Sequence, residues 1–149
     1  MTPWKDHATF EEWETRASWF DSLDLSLSDD AGSYFVGEQA SALSGEVRTV
    51  FCAGAWVATI LLAMSAVDAQ LREAELPKFK GNTKQLLEVL GVNPELQVLR
   101  QRRNTLVHVD RDAASVTVDD MWFKQVELEQ EARSAVALMF DVLFMSPWV

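Results

Sequence analysis

Residues Thr49 to Val67 read TVFCAGAWVATILLAMSAV, 19 positions without a charged side chain. At 1.5 Å per residue such a run can cross a bilayer, so its reading decides between a membrane protein and a helical globule. Composition favours the globule. Cys52, Ala53, Gly54, Ala55, Thr59, Ala63, Ser65 and Ala66 are small or polar, and no cluster of Lys or Arg flanks the run to orient it. Small side chains suit close packing between helices. The expectation is one long helix from Ser44 to about Glu75, at the centre of an all-α bundle of about five helices. On that helix Val50, Val57, Leu61, Met64 and Leu71 share a stripe, with Asp68 at its middle. A carboxylate there is costly to bury unless it is paired.

Downstream, Ala74 to Thr83 (AELPKFKGNT) is a loop carrying Lys78 and Lys80, and Asn82 or Thr83 caps a short helix that ends at Gly91. Asn93 as N-cap, Pro94 in the first turn and Glu95 beside the helix dipole open the next helix, expected from Pro94 to about His108. Leu96, Leu99, Leu106 and Val107 make its apolar stripe, and Arg103 falls in the middle of it. Asp68 and Arg103 are each the misfit of an apolar face, so the economical inference is that they meet. A buried ion pair that only sets the register of the two helices is the plainer alternative. Asn104 and His108, four residues apart, share a face with Arg100 beside them. Arg103 and His108 lie about 140° apart on an ideal helix and reach one target only if the helix ends near His108. Val109 to Val118 is a connector. Asp119 is expected to cap a last long helix, Asp120 to Phe144, with Trp122, Phe123, Val126, Ala135, Leu138, Met139 and Val142 facing in and Pro147 closing it.

Upstream, Thr9 and Glu12 form a capping box that opens a helix to about Asp21, with Phe10, Trp13, Ala17 and Phe20 inward. Ser22 to Asp30 reads as a packed loop and Ser33 to Ser44 as a helix. Asp29 and Asp30 before it suit an N-cap better than a cation site. Together these make residues 1–43 a helical extension packed on a core of 44–145, within one domain of 1–149. The leader MTPWKDHATFEEWETR has no basic and apolar signal pattern, so no export signal is expected. A single cysteine, Cys52, allows no internal disulfide, and His7 and His108 are too few for a His/Cys metal cage. A cytoplasmic chain without cofactor is expected.

The formal charge of −10 argues against broad binding to nucleic acid. Its distribution is uneven. Between Lys78 and Arg111 seven basic residues face three acids, whereas the rest of the chain has six basic residues and twenty acids. A locally positive cleft in an acidic body suits a short, selective RNA contact, and equally a basic protein partner on the acidic surface. The glycine-rich phosphate loop and the G-x-S-x-G nucleophile turn are both absent from the sequence.

Arg103-Asn104-Thr105-Leu106-Val107-His108 resembles the Arg-polar-x3-His motif of the HEPN superfamily, small all-α domains of which many are ribonucleases. The order of elements is also similar, with an apolar helix bearing an acidic residue, the motif ending a late helix, and one more helix after it, over about Val47 to Phe144. The resemblance implies a metal-independent endoribonuclease of a toxin-antitoxin or phage-defence system. Arg103, Asn104 and His108 would be catalytic, Asp68 would support the motif arginine, and Arg100, Arg102, Arg111 and Lys80 would bind RNA. One histidine per site is too few for separate acid and base, so a homodimer with a composite site is implied, with an antitoxin or regulatory protein as a further partner. In many toxin members a tyrosine stands two residues after the histidine and is modified by a partner enzyme; here that position is Asp110, which removes this route of silencing. Asp110 also puts negative charge where a phosphate would sit. The alternative is a non-catalytic HEPN-like module that binds RNA, nucleotide or a protein.

Overall fold

In the computed structural model, which describes residues 7–28, 36–110 and 112–145, the uncharged run is two helices rather than one. Helix α2 (Glu38–Cys52) stops at Ala53, and α3 (Trp56–Gln70) starts three residues later. Gly54 takes a positive φ of 79°; its N–H bonds the Phe51 carbonyl at 3.0 Å, and the Ala55 N–H reaches back to Val50 at 2.9 Å. This is a Schellman stop, which uses the absence of a Cβ to turn the chain left-handed. The freed Cys52 carbonyl accepts from Arg16 Nη1 at 3.1 Å. The chain then folds back, and α2 and α3 form the most extensive helix pair, followed by α3 with α7. As a result no described helix is long and apolar enough to cross a membrane.

Helix α3 is the centre of the molecule. Trp56, Thr59, Ile60, Ala63, Met64, Ala66, Val67, Ala69 and Gln70 are buried, which covers most of its circumference. A helix apolar nearly all round must be enclosed by others, and α2, α5 and α7 do so. Its last turn widens into a π turn, Leu71–Glu75, where the Leu76 N–H bonds the Leu71 carbonyl at 3.0 Å. Beside it the Gln70 side chain accepts from the Gly37 N–H at 2.9 Å and so ties the end of α3 to the start of α2.

Around this centre the described residues add α1 (Phe10–Ser28), α4 (Thr83–Leu90), α5 (Glu95–Val107), α6 (Val118–Phe123) and α7 (Gln125–Leu143). Among the described residues the architecture is all-α, with no strand and with seven α-helices rather than about five. The Thr9/Glu12 and Asn82/Gln85 capping boxes form, and Gly91 ends α4 with φ of 60°. Helix α1 does not stop at Asp21. It continues to Ser28, with Leu23 packed on the core, so the helical part of the expected Ser22–Asp30 loop is held by tertiary contact rather than by local propensity. Phe20 meets Phe140 edge-on at 5.0 Å, and Arg48 of α2 grips Asp21 through two hydrogen bonds of 2.9 Å. Residue 44 falls inside α2, so the expected boundary between extension and core is not an element boundary. One buried cluster draws on α1, α2, α3, α4, α5 and α7.

The expected final helix is also split. Thr117, not Asp119, is the N-cap of α6, with Asp120 completing its capping box, and the helical path breaks at Lys124. The break turns the segment outward. Ala135, Met139 and Val142 are buried as expected and Leu138 is half-buried, but Trp122 is exposed, and Phe123 and Val126 are 80% and 82% exposed. Asp29, Asp30, Arg111, Pro147 and the expected helix start at Ser33 lie outside the described residues.

Candidate functional site

Helix α5 begins at Glu95, one residue later than expected, with Pro94 rather than Asn93 as its N-cap. Pro94 has no N–H to satisfy, and the Asn93 side chain accepts from the Glu95 N–H at 2.9 Å. Leu96 and Leu99 are buried towards the core and Leu106 packs against it. Val107 does not follow the stripe; it is 49% exposed. The helix ends there, and His108 adopts an extended backbone (φ −115°, ψ 118°) while its N–H still bonds the Asn104 carbonyl at 3.0 Å. His108 therefore leaves the helical path, the condition needed for it to share a target with residues one turn back.

Asn104 and His108 line one open cleft of about 340 Å³, with Thr105, Val109, Asp110 and Ser115. Arg103 is not in its lining. It is half-buried beside it, and its Nε donates to Asn104 Oδ1 at 3.2 Å, so the asparagine links the guanidinium to the cleft. The Asp110 carboxylate accepts from the Asp112 N–H at 3.0 Å, a local turn that fixes the cleft's acidic edge. The His108 side chain is exposed and makes no hydrogen bond to the described residues.

The expected ion pair between Asp68 and Arg103 does not form. Asp68 accepts from Arg72 Nε at 3.1 Å and from Thr83 Oγ1 at 2.7 Å, and Arg72 Nη2 donates to the Gly81 carbonyl at 3.1 Å. These bonds close the loop between the π turn and α4. The physical reason is range: an arginine four residues away on the same helix meets Asp68 without any tertiary requirement.

The other expected cations are mostly committed to structure. Arg102 Nε pairs with Glu131 of α7 at 2.9 Å, and its Nη1 donates to the Ser115 carbonyl at 3.2 Å. Arg100 donates to Gln97 at 2.8 Å, and Gln97 in turn donates to the Lys84 carbonyl at 3.0 Å, which joins α5 to α4. Lys80 is exposed on the loop before α4. Among the described residues no three His, Cys, Asp or Glu side chains converge as a metal cage requires. Cys52 is buried, and that burial pushes its thiol above the ordinary range, away from nucleophilic use.

No family model, curated protein or solved structure matches the chain. What the cleft can do therefore follows from its own side chains. An exposed imidazole can take up or give a proton, an amide can orient it or a substrate, and a nearby guanidinium can meet phosphate oxygens. Ser115 and Thr105 were not expected at the site. Ser115 enters through Arg102, whose hydrogen bond to its carbonyl spans 13 residues, and no local pattern announces such a contact.

Proposed function

We propose that the chain is an HEPN-like, metal-independent endoribonuclease acting as a homodimer, with Arg103, Asn104 and His108 of each copy in a composite site. The observation that carries this reading is the end of α5 at Val107, which delivers His108 into the same cleft as Asn104, with Arg103 bonded to that asparagine. One His108 takes the proton of the ribose 2′-hydroxyl, whose oxygen attacks the adjacent phosphorus. The second His108 protonates the departing 5′-oxygen, and Arg103 offers its guanidinium to the developing charge. The products are a 2′,3′-cyclic phosphate and a 5′-hydroxyl. Imidazoles serve as both acid and base, so no step calls for a metal. Exposed Val107 and Val109 flank His108 and offer apolar area for the two copies to meet. A cytoplasmic toxin-antitoxin or phage-defence role rests on the motif resemblance.

A second reading is favoured by two specific observations. Asp110 lines the His108 cleft and Arg103 does not, which sets a carboxylate rather than a guanidinium against an incoming phosphate. That arrangement works against cleavage, and of the ligands open to a non-catalytic HEPN-like module, RNA, nucleotide or a protein, it favours a protein.

Incubating cellular RNA with the purified chain in EDTA separates the two. Cleavage is expected to leave cyclic-phosphate ends and to fall by about 10² to 10⁴ in His108→Ala, and comparably in Arg103→Ala, at equal folded concentration. A folded wild-type dimer that leaves RNA intact sinks the ribonuclease reading in favour of the binding module.

A further inference from the structure

An open apolar feature lies away from His108. A groove of about 700 Å³ runs between α5 and α7 over a floor of Ile60 from α3, lined by Val98 and Leu99 on one wall and Val126, Ala135 and Leu138 on the other. Val98 is 57% exposed and Val126 82%, so nothing among the described residues covers the groove. Its α7 wall repeats every three to four residues from Val126 to Leu138, about 18 Å of one helix face.

Charge on the rim is one-sided. Glu95 stands on α5, and Glu127 and Glu131 stand on α7. Arg102 is paired with Glu131, whereas Glu95 and Glu127 take part in no ion pair among the described residues. The two helices run antiparallel here, because Arg102 meets Glu131 while Leu96 and Asn93 share a pocket with Leu138. Glu95 therefore lies at one end of the groove and Glu127 at the other, about three helical turns apart.

We propose that this groove receives a basic amphipathic helix of a protein partner, with apolar anchors spaced at i, i+3, i+4 and i+7 and a Lys or Arg at each end reaching Glu95 and Glu127. An apolar floor between two acidic ends matches that pattern. A second copy of this chain fits less well, since a two-fold contact on this face would set an acidic rim against itself in a molecule of net charge −10. RNA is disfavoured by the same carboxylates. The inference does not depend on what His108 does.

The test uses the full chain and a labelled helical peptide of about eighteen residues, with Leu at the anchor positions and Lys towards both ends, followed by fluorescence anisotropy. A matched peptide carries Glu in place of Lys. The Lys peptide is expected to bind saturably and the Glu peptide not. Val126→Asp makes the chain more acidic, yet it is expected to weaken the Lys peptide by about tenfold or more, as is Val98→Asp. Glu95→Lys with Glu127→Lys is expected to invert the preference between peptides. Both valines are solvent-facing, and unchanged thermal midpoints establish that the variants fold. Equal or tighter binding of the Lys peptide to Val126→Asp would mean general charge attraction and overturn the proposal, as would no binding to the wild type. Sedimentation supplies the remaining arm: if the wild type is a dimer and Val98→Asp or Val126→Asp makes it a monomer, the groove joins two copies and the proposal fails.

Discussion

Asp68 and Arg103 have the same signature in sequence, a lone charge on an apolar stripe, and they resolve it in different ways. Asp68 stays three-quarters buried by satisfying its oxygens with Arg72 and Thr83. Arg103 remains half-buried against the Asn104 amide. The distinction matters for the site. Asp68→Ala is expected to lower unfolding free energy by about 1–2 kcal/mol, the scale of a partly buried, charge-assisted hydrogen bond. In a double-mutant cycle it is expected to couple to Thr83→Val, with cleavage per folded molecule unchanged. Denaturant titration beside the RNA assay checks this, and a selective loss of cleavage at constant stability would return Asp68 to the support of Arg103. The Arg-polar-x3-His spacing was legible because it is contiguous; the partner of Asp68 was misassigned because the apolar stripes pointed to Arg103, while Arg72, four residues on along the same helix, was the sequence signal passed over.

The helix starts were largely written in short-range chemistry. Thr9 with Glu12, Asn82 with Gln85, and Asn93 before Pro94 each satisfy the first N–H groups through side chains two or three residues away, so sequence alone locates them. The helix stops were harder. Gly54 and Gly45 both sit in or beside α2 within a helical pattern, but only Gly54 takes positive φ. The same substitution is therefore expected to act with opposite sign at the two positions. Gly54→Ala forces a Cβ into a left-handed residue with Arg16 Nη1 at 3.1 Å and is expected to cost about 1–2 kcal/mol. Gly45→Ala meets nothing within 4 Å and is expected to stabilise α2 by about 0.5–1 kcal/mol. Thermal melts of the two single variants decide it. Parallel shifts would mean that α2 and α3 are not separated as the Schellman stop requires. The split at Lys124 belongs to the same class, because Trp122, Phe123 and Val126 keep a helical apolar spacing that the break rotates into solvent.

For the molecule as a whole, the acidic charge is distributed so that a few arginines hold the outer helices to one another. Arg48 clasps Asp21 between α1 and α2, Arg102 joins α5 to α7, and Arg133 lies over the Trp19 ring at 4.6 Å while pairing with Glu129. The Arg48 guanidinium, hydrogen-bonded to Asp21, holds that carboxyl below its ordinary range. A depressed carboxylate contributes stability above its unfolded value of about 3.9 and loses it as pH falls through the lower folded value. Asp21→Asn is thus expected to destabilise the chain at about pH 7 by less than about 1 kcal/mol, since both partners are well solvated, and to match the wild type near about pH 2. Melting temperatures across that interval test the sign. A deficit that persists in acid would locate the effect in packing instead.

What this sequence determined by itself is the all-α class, the capped starts of α1 and α4 and the contiguous Arg103-Asn104-His108 run. All three depend on contacts within about one helical turn, where chain connectivity already brings the groups together. The tertiary structure decided that the uncharged run folds back on itself, that Asp68 serves the loop before α4, and that Val98 and Val126 face an open groove. Those outcomes depend on which helix faces pack, a choice settled by burying the most apolar surface among elements far apart in the chain.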